Sequence, residues 1–306
     1  FINPIFSTVL NSGGNSVTPF KINTIGLIAN MILDPVLIFG LGPIPSLGVV
    51  GAAIATTFSQ MLVTLAFLYV GNKNGEIYLN VNLLSKPDMN CIKRIIKLGV
   101  PPFAQTAIHS GITMILTRFI AQFGHVAVAV INIGSQIESI TWMSADGFSS
   151  AIAAFIGQNY GAKNAHRIKE GYKKGMKILG FIGIFGSLLL ILGAEPLFKI
   201  FTPDDPVAIR EGMNYLRILG FSQFFMTTEI GTAGAFNGIG KTLPPTIIGV
   251  IFNLMRIPLA LLLSRTSLGL LGIWWSISIS SIIKGTVSPL LYAYVLKNKL
   301  TDIIEN

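Results

Sequence analysis

The sequence predicts an all-α, polytopic membrane protein, and three observations carry that prediction. Of its 306 residues, 51% are hydrophobic and only 11% are charged, against about a quarter charged in a soluble domain. The mean hydropathy is +0.67. The apolar residues also fall in runs of about 20, the length a helix needs to cross the hydrocarbon core. Disorder is excluded by the apolar content. A single cysteine, Cys91, excludes a disulfide framework and a cysteine-rich metal centre. The net charge of +9 would suit nucleic acid, but the basic residues lie between apolar runs, which points to a membrane surface and to no nucleic-acid partner.

The elements follow in order. The end of one span occupies about 1–12, and whole spans follow near 22–41, 48–71, 98–122, 126–156, 172–194, 209–235, 243–264 and 268–296. Most are punctuated by glycine, proline or asparagine, as at Gly13-Gly14-Asn15, Gly42-Pro43-Ile44-Pro45 and Thr202-Pro203-Asp204-Asp205-Pro206. The polar stretch 72–97 divides the chain: residues 1–85 form a partial first lobe, 86–97 a connection and 98–306 a complete second lobe. Counting Lys and Arg on alternate loops gives fifteen on one side and four on the other. This places 72–97, the 157–171 loop and the C-terminus in the cytoplasm. The basic segment Lys163–Lys177 reads as a surface against anionic lipid.

An internal repeat is present. Asn11 to Pro19 resembles Asn237 to Pro245, Asn30 to Pro35 resembles Asn253 to Pro258, and Gly48-x-x-Gly51 resembles Gly269-x-x-Gly272. Both copies enter from the cytoplasmic side, so the repeat is parallel. The spacing leads to the expectation that roughly 130 residues precede Phe1 in a complete molecule of two six-helix bundles.

These segments, with Leu98-Gly99-Val100-Pro101 and Gly157-Gln158-Asn159-Tyr160-Gly161-Ala162, resemble the multidrug and toxic compound extrusion (MATE) family from the end of its fourth helix through its twelfth. The resemblance implies two six-helix lobes around a central cavity, in the cell membrane. It also implies export of organic, often cationic, compounds in exchange for protons or sodium, with no other cofactor. One copy of the chain is expected to act alone.

An ionisable group within a span is costly and reads as functional. Asp34 lies mid-span with Asn30 one turn earlier on the same face. A carboxylate and an amide carbonyl offer hard oxygen ligands, and a buried carboxylate can equally carry a proton. The resemblance places Asn30 and Asp34 in the cation site of the first lobe, with Thr56 as third member and Thr57 as alternative. Sodium at Asp34, Asn30 and Thr56 is the corresponding metal reading. In the second lobe, Glu229 and Glu138 are the carboxylate candidates. Many relatives carry Glu eight residues after the proline of the seventh helix, where this chain has His109. Arg256 and Lys284 are expected to neutralise Glu229 and Glu138, in either pairing. Met143 and Phe225, each close to one of these glutamates, are candidates for the substrate cavity.

Other function classes find less support. A flippase for lipid-linked precursors predicts more cations in the cavity. Enzymatic motifs such as His-Glu-x-x-His and Gly-x-Ser-x-Gly are absent, as is a Walker-type phosphate loop. An inactive fragment of a transporter is the remaining alternative.

Overall fold

The computed structural model describes residues 2–41, 45–74 and 88–298. Among these, every regular element is a helix. The chain divides into two compact units, Phe1–Pro87 and Asp88–Asn306.

The first unit contains α1 (Ile2–Ser12), α2 (Val17–Phe39) and α3 (Gly48–Asn74). Helix α1 ends where Gly14 takes a φ of 88°, a conformation closed to most L-residues and open to glycine. Helices α2 and α3 form an antiparallel hairpin, because two glycines let the backbones touch. A Cβ at Gly26 would collide with Val63, and one at Gly51 would collide with the Leu37 carbonyl. Leu10, Ile22, Val63 and Phe67 form the small core, with Phe6 against Phe67 at a ring-centroid distance of 5.7 Å. Pro35 lies within α2 without interrupting it.

The second unit holds α4 (Met89–Ala121), α5 (His125–Gly161), α6 (Ala165–Leu192), α7 (Ala194–Phe201), α8 (Pro206–Gly220), α9 (Gln223–Gly238), α10 (Leu243–Leu254), α11 (Arg256–Ser264) and α12 (Leu270–Asn298). Side-chain caps satisfy otherwise orphaned backbone donors at three starts. Asp88 accepts from the Asn90 amide at 2.9 Å, Asn164 from Arg167 at 3.1 Å, and Asp205 from Val207 and Ala208, each at 3.0 Å. Small residues again bring helices together: Gly134 of α5 faces the Tyr215 ring, and Gly234 of α9 faces Ser149 of α5. One core gathers around Trp274, Tyr215 and Phe198, a second around Tyr292, Phe236 and Ile156.

Among the described residues, six segments are long and apolar enough to cross a membrane: Val17–Phe39, Gly48–Lys73, His125–Gly161, Ala165–Leu192, Leu243–Ser264 and Leu270–Lys297. Their outer surfaces, with that of α4, carry exposed Phe20, Phe39, Phe103, Phe181 and Leu192, as lipid-facing surfaces do. Helix α4 is 33 residues long, but Gln105, His109 and a series of Ser and Thr residues make it more polar than the six.

Several boundaries differ from the sequence expectation. The span expected at 209–235 is two helices, α8 and α9, broken at Phe221–Ser222. The span at 243–264 is broken at Met255, because Pro258 has no amide to give the Leu254 carbonyl one turn back. The connection 86–97 is helical from Met89 onward, so Lys93, Arg94 and Lys97 ride on the first turns of α4. The 157–171 loop contracts to residues 162–164, since Gly157–Gly161 close α5 and α6 begins at Ala165. The short α7, where exposed Glu195 and Lys199 pair at 2.7 Å, was not expected; the Lys199 hydrogen bond and charge hold the Glu195 carboxyl below its ordinary range. Part of 72–97 and the C-terminal residues 299–306 lie outside the described residues, as do Gly42, Pro43 and Ile44.

The repeat has a structural counterpart. In the first unit Gly14 donates to the Asn11 carbonyl at 3.0 Å and Asn15 to Leu10 at 2.9 Å; in the second, Gly240 donates to Asn237 and Lys241 to Phe236, both at 2.9 Å. Gly14 and Gly240, 226 residues apart, both have positive φ, as do Gly48 and Gly269, 221 apart. A Cβ at Gly272 would collide with the Leu263 carbonyl, as one at Gly51 would with Leu37. Thus α1, α2 and α3 correspond to α9, α10–α11 and α12. The register is 226 at both ends of α2 and 221 along α3. This corrects the sequence match of Asn30 with Asn253: the residue in Asn30's place is Arg256.

Candidate functional site

Asn30 and Asp34 stack one turn apart on α2, both half-buried. The Asn30 Nδ2 and the Asp34 Oδ1 are each enclosed and without a hydrogen-bond partner among the described residues. A polar atom in that condition costs of order 1–3 kcal/mol. Thr56 and Thr57 lie on the exposed side of α3. Their hydroxyls donate to the carbonyls of Ala52 at 2.9 Å and Ala53 at 2.8 Å within their own helix. The buried stripe of α3 runs instead through Ala55, Ser59, Val63 and Phe67. Ser59 is 3% exposed, and its Oγ is likewise enclosed and unpartnered. Gly26, one turn before Asn30, lies against both Val63 and the Ser59 carbonyl, so Ser59 faces the Asn30 turn of α2. Sequence reading missed it. The available signal was a polar residue interrupting an apolar stripe at four-residue spacing.

The repeat register explains what those atoms resemble. Asn30, Asp34 and Ser59 correspond to Arg256, Ala260 and Ser280. In the second unit the Arg256 Nε donates to the Ser280 Oγ at 2.6 Å and its Nη2 to the Ser281 Oγ at 3.1 Å. In the second unit, therefore, a fixed guanidinium bonds the serine that corresponds to Ser59, whereas in the first unit Asn30, Asp34 and Ser59 each keep an unpartnered polar atom.

The other second-unit candidates resolve into separate groups. Glu229 of α9 pairs with Lys284 of α12 at 3.0 Å, the side chains being 13% and 8% exposed. Glu138 of α5 accepts from the Tyr215 hydroxyl at 2.8 Å and the Gln223 Nε2 at 2.7 Å. The expectation that Arg256 and Lys284 neutralise both glutamates therefore holds for one pair. No described cation lies within ion-pair distance of Glu138, because Arg256 is committed to the serines. His109 is exposed on α4, in the fields of Arg256, Lys284 and Glu229. Met143 is 59% exposed on α5. Phe225 is half-buried, edge-on to Phe224 at 5.4 Å, with its backbone against Gly285.

These features can be set beside known proteins. The MatE family model matches residues 101–262. The chain is 30% identical over 293 residues to the probable multidrug resistance protein NorM of Thermotoga maritima, covering 95% of this chain and 63% of that protein. It is 26% identical over 304 residues to the multidrug export protein MepA of Staphylococcus aureus, covering 96% and 64%. The chain thus spans less than two thirds of the length of these relatives. Among solved structures, a crystal structure of a MATE protein in the straight conformation superposes with a TM-score of 0.87 at 23% identity, over 99% of this chain and 67% of that one. The bent form of the Vibrio cholerae MATE transporter VcmN gives 0.81 at 20%, over 95% and 65%. The helix order, the paired repeat and the family match over more than half its length agree, and the chain belongs to the MatE family of multi-pass membrane proteins.

Proposed function

We propose that the protein acts as a secondary exporter of small organic compounds, driven by exchange for protons or sodium ions. The relatives named as multidrug resistance and export proteins support the class. The observation that carries the coupling role is the set of unpartnered polar atoms of Asp34, Asn30 and Ser59 within an apolar hairpin. Such atoms are tolerated in a membrane where a ligand comes to them. A sodium ion would find a carboxylate, a hydroxyl and, after a half-turn of the amide, a carbonyl oxygen; a proton would find the carboxylate alone. Ion binding shifts a transporter between inward- and outward-open forms only if the two forms bind the ion unequally. We place Ser59 in this site ahead of Thr56 and Thr57, whose hydroxyls are engaged with their own helix. We give Glu229 a structural role, a reading supported by its pairing with Lys284. We place the protein in the cell membrane, acting as a monomer, with residues 72–97 and the C-terminus facing the cytoplasm.

The test is Asp34→Asn in the protein reconstituted into liposomes, with imposed pH and sodium gradients compared. Loss of gradient-driven substrate movement with normal insertion is expected, and the gradient that drives the parent protein names the ion. Unchanged transport by Asp34→Asn would overturn the assignment.

A further inference from the structure

Glu138 stands opposite the break between α8 and α9 and holds a residue from each side of it. Tyr215 belongs to α8 and donates to Oε2; Gln223 is the first residue of α9 and donates to Oε1. The same Gln223 Nε2 also donates to the Leu219 carbonyl in the last turn of α8, at 3.3 Å. Both hydrogens of that nitrogen are therefore used, which fixes the orientation of the amide. As a result the Gln223 Oε1 is enclosed and unpartnered in a residue with 0% exposure. An ionised carboxylate has only acceptors and cannot use that oxygen; a neutral carboxylic acid has one O–H to give.

The surroundings leave the carboxylate without a counter-ion. From α11, Arg256 acts on it at a distance, its own bonds going to Ser280 and Ser281. On α9, Glu229 is held by Lys284 of α12. On α4, His109 stands in the fields of that pair and of Arg256. On α7, Glu195 and Lys199 pair with each other. On α8, Arg210 lies beside Glu211 at 3.7 Å, and the charge of Arg217 acts on Glu195. Helix α6 meets Thr141, beside Glu138, with Gly186; its charges end at Lys177, near the level where Gly175 meets Ile152. On α5 itself, Asp146 is exposed two turns on, and the uncharged Asn132, Ser135 and Gln136 are exposed in the turns before Glu138.

We propose that Glu138 is a reversible proton-binding site and that the Gln223 amide switches partner with its state. In the ionised state the carboxylate accepts from Nε2, as the structure has it. One proton from water adds to the Glu138 Oε1, taking the site from a charge of −1 to 0. The amide then turns over, the new O–H donates to the Gln223 Oε1, and the bond from Nε2 to Leu219 is released. That bond ties α8 to α9 across Phe221–Ser222, so proton uptake loosens the junction of a broken span, the kind of element that surrounds binding sites in transporters. The site lies within the second unit and stands whether or not Asp34 is the coupling residue.

Infrared difference spectra of the protein in lipid, acidified minus neutral, test this. A carboxylic-acid carbonyl band is expected in Asp34→Asn, where any contribution of that residue is removed, and absent in Asp34→Asn/Glu138→Gln. Gln223→Leu removes the acceptor of the acid proton and moves the band to higher frequency. Tyr215→Phe also displaces it, and these two variants carry the test if Glu138→Gln is not recovered folded. A band that Asp34→Asn/Glu138→Gln keeps unchanged from Asp34→Asn, or that neither Gln223→Leu nor Tyr215→Phe displaces, overturns the proposal.

Discussion

Replacing Lys284 with Met should destabilise the second unit far more than a surface substitution would. The Nζ lies 3.0 Å from the Glu229 Oε2, with both side chains close to nine-tenths enclosed. Arg256, whose charge also interacts with Glu229, is bound to two serines. Lys284→Met keeps most of the side-chain volume but leaves a carboxylate enclosed without its partner, a loss of about 3–5 kcal/mol. The pair Lys284→Met/Glu229→Gln removes both charges and should lie within about 1 kcal/mol of the parent, since enclosed ion pairs contribute little net stability over neutral groups. Glu229→Gln, which strands the ammonium in the same way, should cost a similar amount, so the two single variants and the double variant form a thermodynamic cycle with a coupling of about 5 kcal/mol or more. Thermal unfolding in a fixed detergent, followed by tryptophan fluorescence, reads it. If Lys284→Met melts with the parent, or the double variant is no better than the worse single, the ion pair does not hold α9 to α12.

Three further outcomes are expected. Asn30→Arg should place a guanidinium beside Ser59, as Arg256 is placed beside Ser280, giving a protein that elutes as a folded species but no longer exchanges substrate for ions; normal exchange refutes the repeat register. Ser59→Ala should weaken ion-driven transport by roughly tenfold, the value of one lost hydrogen bond to an ion, whereas Thr56→Ala should leave it unchanged; transport measured at several ion concentrations separates the two. Gly51→Ala and Gly272→Ala each push a methyl group against a backbone carbonyl and should cost about 1–3 kcal/mol, visible as lowered melting temperatures.

The spans were legible in the sequence because hydrocarbon imposes length and apolarity on every helix that crosses it. The turns at Gly13-Gly14 and Ile239-Gly240 were legible because glycine is needed where the chain turns left-handed. The break at Phe221–Ser222 was not, since no proline marks it and Gly220 reads like any helical glycine packed on a neighbour. The break at Met255 was obscured because Pro258 acts one turn back from where it stands. The same proline invited a match with Pro35 that is three residues out of register. Which glutamate meets which cation depends on helix rotation and neighbour order, and a sequence carries neither. Ser59 was hidden for a related reason: amid Ala55, Val63 and Phe67 it looks like a small packing residue, and only the fold reveals a hydroxyl with nothing to bind.

The backbone contacts at Gly51 with Leu37, and at Gly272 with Leu263, carry a mechanical consequence. Helices that touch main chain to main chain cannot slide, since the first small translation would drive carbonyl oxygens into Cα hydrogens. The α2–α3 pair should therefore travel as a single stiff lever. Bending in the second unit is then concentrated at the interrupted junctions of α8 with α9 and of α10 with α11.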